Sequence, residues 1–467
     1  MAQGKVAARA SAAERALLLT VPLGITLAPL NSTMIAVAQP RIIAEFAVNA
    51  HLAGWLVTGY LIAVAALGPV AGKLGDRLGR RPLFLGGLAM FGAASLAASL
   101  APTFPVLLLF RILQALGGAV AFPNGAALVR ELIPAERRAT ASGLIGAAAG
   151  LAAAAGPPLG GLLVSAGWRL IFLVNLPLCL GALALGWWTI PRLRGARRSA
   201  PFDLMGAVML TALLVGGAWA LIQGRQVLSG AGLMGLWLAL AALLTCFLLV
   251  EARHRDPLID PRLFARRSFA SANLAVAASN LAMYVTLLAL PLLLRARVSS
   301  QHIGLELAAL SVASVAFTPL GGRLADRLGR RLPSVIGFSL LTLGLLPLAL
   351  SGGADGVGRV LGLGLAGIGL GLASAGLQTA ALESLSPRLA GTASGVFSTS
   401  RYLGSVAGSS LLAGLAVPGV PASFVPIFWI VVGAALLAAV AALGLHVRPA
   451  DEPEVLNEHD ALNTFKA

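Results

Sequence analysis

The sequence predicts an all-α membrane protein of 14 transmembrane helices, built as two six-helix repeats with two helices inserted between them. Three observations support this. Hydrophobic residues are 58% of the 467-residue chain and charged residues only 11%, whereas a soluble domain carries about 25% charged residues. Apolar runs of about 20 residues recur along the chain, and one basic loop occurs twice. This composition excludes disorder and a disulfide scaffold, and it argues against a water-soluble enzyme.

Each apolar run is long enough to cross the hydrocarbon core of a bilayer. The runs fall into a group of six, a group of two and a second group of six. In chain order we predict spans at 16–38, 51–71, 83–101, 104–127, 140–164, 170–190, 204–222, 229–250, 268–294, 304–322, 332–351, 357–381, 391–417 and 423–447.

These groups predict the domain organisation. We expect an N-terminal six-helix bundle over 1–190 and two inserted helices with their linkers over 191–255. A C-terminal six-helix bundle follows over 256–447, and a cytoplasmic tail covers 448–467. Ala36-Val37-Ala38 resembles a signal-peptide cleavage site, but the preceding apolar run is too long for a signal peptide, so we expect a retained first helix.

A formal net charge of +16 could indicate a protein that binds nucleic acid. If the basic amino terminus is cytoplasmic, 26 of the 34 Lys and Arg residues lie on that side and six outside, while Arg111 and Arg401 fall within spans. This is the positive-inside distribution. It explains the charge without nucleic acid and predicts a bacterial-type inner membrane protein with both termini in the cytoplasm.

An internal repeat relates the two groups of six. The loop GKLGDRLGRR at 72–81 matches GRLADRLGRR at 322–331 in eight of ten positions. Thr-Ala-Ser-Gly occurs at 140–143 and again at 392–395, and Glu131 and Glu383 end corresponding spans. Many secondary transporters are built from duplicated helical halves with the substrate site between them. Channels and membrane enzymes are also duplicated, so the repeat alone specifies architecture better than function.

The motifs resemble those of the major facilitator superfamily, and within it the fourteen-helix drug:proton antiporter group. The doubled loop matches G-x-L-x-D-R-x-G-R-R, and Arg111-x-x-Gln114-x-x-Gly117-Gly118 is similar to the fourth-helix motif. Gly156-Pro157-Pro158-Leu159-Gly160-Gly161 resembles the fifth-helix antiporter motif. The stretch Trp168-Arg169-x-x-Phe172-x-x-Asn175-x-Pro177 resembles the segment that follows it.

This resemblance implies a major-facilitator-type fold and alternating-access export of amphipathic or cationic organic compounds in exchange for protons, as in multidrug efflux. The implied partners are a small organic substrate, protons and membrane lipids, and we expect a monomer. We expect no cofactor, no metal and no enzymatic activity, since the sequence has no nucleophile–base pair, HExxH or metal cluster. The alternatives are a lipid or metabolite transporter of this fold, a non-transporting receptor, and a coupling-deficient transporter.

The resemblance assigns a gating role to the repeated loops. In the family their aspartate and arginine join a charge relay with nearby helix ends that holds the cytoplasmic gate shut. Positive-inside anchoring and a tight turn also account for the basic residues, although not for an aspartate at both positions. The relays carried over to this chain are Asp76, Arg80 and Glu131, and Asp326, Arg330 and Glu383.

The fifth-helix motif is the second gating candidate. Gly156 and Gly160 are one turn apart and allow a neighbouring backbone to approach closely. Pro157 and Pro158 interrupt the helical hydrogen bonds and predict a kink. Such a seam between the halves would resist leakage; the alternative is helix packing with no gating role.

Arg111 is the strongest candidate for a residue that binds substrate or couples transport to an ion. It lies about 10 Å into span 4 at 1.5 Å per residue, where a charge costs roughly 2.5–3.5 kcal/mol. We therefore expect it to face the cavity, with Gln114 less than a turn away. The alternative is a structural arginine bonded to helix carbonyls. Arg401, near the middle of span 13, fits a structural and a functional role equally well.

Other polar and aromatic residues complete the predicted cavity, which the resemblance places between spans 1, 4, 9 and 12. Trp55 and Tyr60 on span 2 could stack on a flat substrate, but each fits a packing or interface role at least as well. Besides Arg111 and Gln114, the candidates on the four spans are Asn31, Asn280, Tyr284 and Gln378.

One departure from the family concerns coupling. The first helix of the fourteen-helix group usually carries aspartate in an L-D-x-T pattern, and this chain has Leu30-Asn31-Ser32-Thr33. Asn31 cannot titrate, and none of the 18 acidic residues falls in the middle of a span. Glu306, at the outer end of span 10, is the nearest. Proton coupling through the first helix is therefore in question for this chain.

Overall fold

Fourteen helices of 15 residues or more run back and forth through the described part of the computed structural model. The structure describes residues 17–133, 135–191, 203–254, 257–294, 297–351, 356–385, 390–417 and 420–446. The basic amino terminus and the tail at 448–467, whose cytoplasmic location we predicted, lie outside these ranges. The long helices, numbered in chain order, are α1 Leu27–Phe46, α2 Ala50–Leu78, α3 Arg80–Ser99, α4 Phe104–Leu132, α5 Ala135–Ala166, α6 Asn175–Thr189, α7 Leu204–Trp219, α8 Gly230–Arg253, α9 Arg267–Leu294, α10 Ser300–Leu328, α11 Arg331–Ser351, α12 Gly356–Glu383, α13 Ala390–Leu415 and α14 Phe424–Ala442.

The number of membrane spans differs from the prediction. Thirteen helices within the described ranges are long and apolar enough to cross a membrane, so a count of 14 is not confirmed. The predicted span at 391–417 corresponds to α13, which is helical but is not among the 13. Its sequence, AGTASGVFSTSRYLGSVAGSSLLAGL, is rich in serine and glycine and contains Arg401, which lowers its mean hydropathy.

The first span is longer than predicted. The apolar run ends near residue 38, whereas the helical segment extends from Leu17 to Phe46 and includes Pro40. Since the last turns of α1 carry Gln39, Arg41 and Glu45, hydropathy alone underestimates this helix.

The halves are defined as α1–α6 and α9–α14. They contact each other through corresponding helices, in an arrangement that resembles two-fold symmetry. Helix α2 contacts α13, and α5 contacts α10. Because α10 corresponds to α2 and α13 to α5 in the internal repeat, each half offers the same pair of helices to the other. Helices α1 and α9, the first of each half, also touch at the centre.

The inserted helices lie on one edge of this junction. Helix α7 packs against α8 and also contacts α2 and α13, so it covers a seam between the halves. It continues through a π-helical turn at Ala220–Gly224. Helix α8 buries only Phe247 and Glu251, which leaves most of its apolar surface facing outward, as for a helix in contact with lipid.

Close contacts join the halves at the end opposite the repeated loops, here named the far end; the end with the loops is the motif end. The hydroxyls of Thr58 and Ser409 form a hydrogen bond of 2.9 Å between α2 and α13. One turn closer to the far end, a side chain at Gly54 would overlap Ala413. These contacts bring the halves together at the far end.

Candidate functional site

Arg111 is at the centre of a buried polar network in the first half. Its side chain is 1% exposed, although it carries a full charge. Nη1 donates to Oδ1 of Asn31 on α1 and to Oε1 of Gln114, and Nε donates to the Leu56 carbonyl on α2 at 3.2 Å. Gln114 is positioned by its spacing of three residues on the same helix. One guanidinium thus links three helices.

Two aromatic rings enclose this guanidinium. The Tyr60 ring on α2 lies 4.3 Å from the guanidinium carbon of Arg111, and the Phe172 ring lies 5.9 Å away. Both are cation–π distances. The stacking role that we considered for Tyr60 is therefore occupied by Arg111 here, while Trp55 packs partly buried against the apolar core.

A second layer of hydrogen bonds orients the network. Nε2 of Gln114 donates to Oγ of Ser95 on α3 at 2.6 Å, and Nδ2 of Asn175 approaches the same oxygen at 3.5 Å. Because the Gln114 amide nitrogen donates to Ser95, its oxygen faces Arg111, which can only donate. The Gln114 side chain that binds Arg111 is therefore itself fixed by a hydrogen bond to Ser95.

The second half contributes one basic and two aromatic side chains near this network. Tyr284 on α9 lies near Ser32 on α1 and within electrostatic range of Tyr402, Arg401 and Arg111. The Arg401 guanidinium carbon lies 5.4 Å from the ring centroid of Tyr402. Arg401 is exposed and Tyr402 is half-buried. The centre therefore contains basic and aromatic side chains from both halves.

Three other candidates have no hydrogen bond to this cluster within the described residues. Nδ2 of Asn280 donates to the Val276 carbonyl of its own helix. Gln378 is exposed on α12. Both oxygens of Glu306 accept from Arg359, at 2.6 and 2.7 Å, so this carboxylate lies in an ion pair between the far ends of α10 and α12. The structure does not bring Glu306 to Arg111.

The second repeated loop forms a compact relay. Arg330 donates from Nε and Nη2 to the two oxygens of Glu383, at 3.1 and 2.9 Å, and from Nη1 to Asp326 at 2.6 Å. This two-pronged geometry is the strong form of an arginine–carboxylate pair. Because Glu383 and Asp326 accept these hydrogen bonds, they raise the pKa of Arg330 above its usual value.

The first repeated loop has a looser contact. Nε of Arg80 lies 3.6 Å from Oε2 of Glu131. The side chain of Asp76 lies outside the described part of the structure, so the full relay is not visible there. The two ion pairs, Arg80–Glu131 and Arg330–Glu383, each form within one half.

The fifth-helix motif makes two different contacts. Gly156 and Gly160 face α1 of the same half, where the Cα of Met34 would be 3.1 Å from a Cβ at Gly160. The other half is contacted by neighbouring groups: a Cβ at Gly304 on α10 would overlap the Pro157 carbonyl oxygen. The seam between halves therefore involves Pro157, while the two glycines serve packing inside the first half.

The sequence analysis missed several members of the central cluster. Ser32 and Ser95 have no distinguishing sequence signal, because buried serines are common in apolar helices. Phe172 lies in a motif that we had noted without a role. Tyr402 had a usable signal, since the chain has only three tyrosines and this one adjoins an arginine within a span.

Known proteins show clear similarity to this chain. The family model described as Major Facilitator Superfamily matches residues 23–409 and, in a second match, 272–466. The MFS-type transporter YvkA of Bacillus subtilis is 33% identical over 92% of this chain and 96% of its own length. Multidrug resistance protein Stp of Mycobacterium tuberculosis is 34% identical over 88% of this chain and 77% of its own. The tetracenomycin C resistance and export protein of Streptomyces glaucescens is 30% identical, with coverages of 85% and 74%.

Solved structures share the fold. A D-xylose-proton symporter superposes with a TM-score of 0.66 at 16% identity, covering 93% of this chain and 98% of its own. A bacterial homologue of the human lysosomal transporter Spinster, in an inward-facing and unoccupied conformation, has a TM-score of 0.64 at 19% identity. It covers 92% of this chain and 96% of its own.

Proposed function

This chain belongs to the major facilitator superfamily, a family of membrane transporters and not of enzymes, and we propose that it exports amphipathic organic molecules by alternating access in exchange for protons. The observation that carries the proposal is the central cluster, in which Arg111 binds Asn31 on α1, and α1 touches α9 of the other half, where Tyr284 lies near Ser32. A polar site between duplicated halves is where a transporter of this class binds its substrate. The names of two relatives, a multidrug resistance protein and an export protein, support export over import.

The contacts between the halves support an inward-facing state. If the motif end is cytoplasmic, the Thr58–Ser409 hydrogen bond and the Pro157–Gly304 contact close the outer side. Moving to the outward-facing state requires these contacts to break and new ones to form at the motif end. Small residues at this interface allow the helices of the two halves to approach closely. They also allow the helices to separate without exposing large side chains.

The identity of residue 31 bears on which ion drives transport. A proton antiporter needs a group that gains and loses a proton during the cycle, and an amide such as Asn31 does not titrate. Arg111 holds its proton too strongly for this role. The alternative is a chain that binds substrate and couples poorly to a pH gradient, with Asn31 as the cause. A lipid or metabolite transporter of the same fold is the other alternative.

Reconstitution tests the proposal. The purified chain in liposomes, with an imposed pH gradient, is compared with empty liposomes for transport of amphipathic dyes that are neutral, cationic or anionic. We expect transport of at least one dye and its acceleration by the gradient. Transport of a dye without any effect of the gradient supports the coupling-deficient alternative. Failure to move any dye under any gradient overturns export of amphipathic molecules.

A further inference from the structure

All three tyrosines of the chain lie within electrostatic range of one another where the two halves come together. Tyr60 interacts electrostatically with Tyr284 and Tyr402, and Tyr284 interacts with Tyr402. They come from α2, α9 and α13, which belong to different halves. A chain of 467 residues with three tyrosines therefore places its amphipathic aromatic side chains at one site, and such rings bind flat aromatic molecules by stacking and edge contacts.

The same site contains two basic side chains from different halves. Arg111 stacks under the Tyr60 ring, Arg401 lies beside Tyr402, and both act electrostatically on Tyr284. Neither arginine follows from the internal repeat, because the corresponding positions hold Leu363 and Ala149. The positive charges of Arg111 and Arg401 are therefore specific to these positions and were not copied by the duplication.

The acids with described side chains do not compensate this charge. Each has partners elsewhere: for example, Glu306 binds Arg359 at the far end, while Glu383 and Asp326 bind Arg330 at the motif end. Glu45 pairs with Arg169 and Glu131 with Arg80. Asp203, Glu251 and Asp260 accept from the backbone amides of Gly206, Ile259 and Arg262 respectively. In the sequence as a whole, no acid falls in the middle of a predicted span.

Two buried polar groups at the site lack a partner within the described residues. Since Oδ1 of Asn31 faces Arg111, its Nδ2 points elsewhere and has no acceptor. The Tyr60 hydroxyl, on a side chain 2% exposed, also has none. Both groups can donate a hydrogen bond. An unpaired buried donor is costly, so a ligand that supplies acceptor oxygens would satisfy them.

We propose that the transported substrates are organic anions with an aromatic ring system, in which the acidic group binds between the arginines and the ring contacts the tyrosines. This inference rests on the proposed function and narrows its substrate class. A carboxylate or sulfonate offers the acceptor oxygens and the negative charge that the site lacks. An organic cation would enter a region with two arginines and no acid among the described side chains, where like charges repel strongly at reduced dielectric constant.

A matched set of ligands tests the inference. Anthracene carboxylate, anthracene methanol and anthracene methylamine share one fluorescent ring and carry negative, neutral and positive charge at pH 7. Their dissociation constants are measured with the full chain in phosphatidylcholine nanodiscs, with empty nanodiscs as the blank. We expect the carboxylate to bind at least about tenfold more tightly than the alcohol, because it gains charge-assisted hydrogen bonds, and the amine to bind most weakly.

Variants show whether the arginines cause this preference. Arg401→Gln changes an exposed side chain and should reduce the preference for the carboxylate by about tenfold while leaving binding of the alcohol unchanged. Arg111→Lys keeps the charge and should retain part of the preference. The matched control is Arg225→Gln, an exposed arginine on the inserted helices, which should leave all three constants unchanged.

The outcomes separate this inference from the proposed function. Equal affinities, tighter binding of the amine, or no binding of any member overturns the inference. A loss of affinity by the same factor for all three ligands in Arg401→Gln also overturns it. If cationic dyes are transported in liposomes but the carboxylate is not preferred, export stands and the anion inference fails. If the carboxylate is preferred but nothing is transported, the binding site stands and export fails.

Discussion

The two halves share their motif ends but differ at the centre. At the motif end, the same residue types recur at an offset of about 250 residues and an arginine faces a glutamate in each half. At the centre, Arg111 of the first half corresponds to Leu363 of the second. Duplication thus supplies the frame and the moving parts, while the chemistry of the site comes from positions where the halves have diverged.

The repeated loops are themselves unequal in geometry. Arg330 makes a two-pronged contact with Glu383 and its side chain is 8% exposed, whereas Arg80 approaches Glu131 at 3.6 Å with 28% exposure. Similar sequences therefore leave one pair tighter than the other. The less exposed, two-pronged pair is expected to resist separation more strongly.

The largest expected effect breaks the central asymmetry. Arg111→Ala should reduce transport by at least about a hundredfold, because it removes the charge and the links to Asn31 and Leu56. The matched change in the other half, Leu363→Ala, should lower stability and leave substrate preference intact. Transport in liposomes and elution on size exclusion are measured together. An Arg111→Ala protein that aggregates or fails to insert would show a structural role for this arginine instead.

The next effect concerns coupling at the same site. Asn31→Asp places a titratable group beside Arg111 and should create or raise transport driven by a pH gradient by about tenfold. Binding of an organic anion should become pH-dependent between about pH 5 and 8. It should weaken as pH rises, because the ionised aspartate then occupies Arg111. Substrate-induced proton release in detergent is the measurement. Equal release from both forms would place the coupling group elsewhere.

A smaller effect tests the seam between the halves. Gly304→Ala places a methyl group against the Pro157 carbonyl and should cost about 1–3 kcal/mol in the closed far end, as overpacking does. Gly322→Ala on the same helix has only the Ala375 methyl 3.7 Å away and should be neutral or stabilising. Cysteine accessibility from each side reports the shift. Equal behaviour of the two variants would contradict closure through Pro157.

The smallest effect compares the repeated loops. Glu383→Gln should lower the free energy of unfolding by about 1–2 kcal/mol, since it removes half of a charged pair. Glu131→Gln, at the matched position, should cost about 0–1 kcal/mol because its contact is longer and more exposed. Denaturant unfolding in detergent measures both. Hydrogen bonding to Glu383 raises the Arg330 pKa, so the arginine should keep its charge in this relay at alkaline pH. A larger loss in Glu131→Gln would reverse the ranking of the two relays.

Much of the fold follows from local sequence. The predicted span 268–294 is helix Arg267–Leu294, and 357–381 lies within Gly356–Glu383, because about 20 apolar residues in lipid have little alternative to a helix. The predicted spans were incomplete where a long helix contains polar residues, because hydropathy then does not indicate the full length of the helix. The serine-rich α13 is a long helix without the hydropathy of a span, and α1 continues past its apolar run.

The candidate site was predictable in part. Arg111, Asn31 and Gln114 were identified because charged and amide side chains are costly inside a membrane and must find partners. Trp55, Asn280 and Gln378 had the same kind of sequence support, but within the described residues they form no hydrogen bond to the Arg111 network. These helices are apolar on all sides, so their sequences do not indicate which face points to the centre.

The sequence by itself determined that the chain is a duplicated helical membrane protein, which helices it contains and which charge needs a partner. Those properties depend on transfer free energies and on repeats that are readable along the chain. Only the tertiary structure decided that the Arg111 guanidinium lies against the Tyr60 ring, and that the Arg330–Glu383 pair is closer than the Arg80–Glu131 pair. These properties depend on the rotation of each helix and the distance between helices, which are set by contacts between residues far apart in sequence.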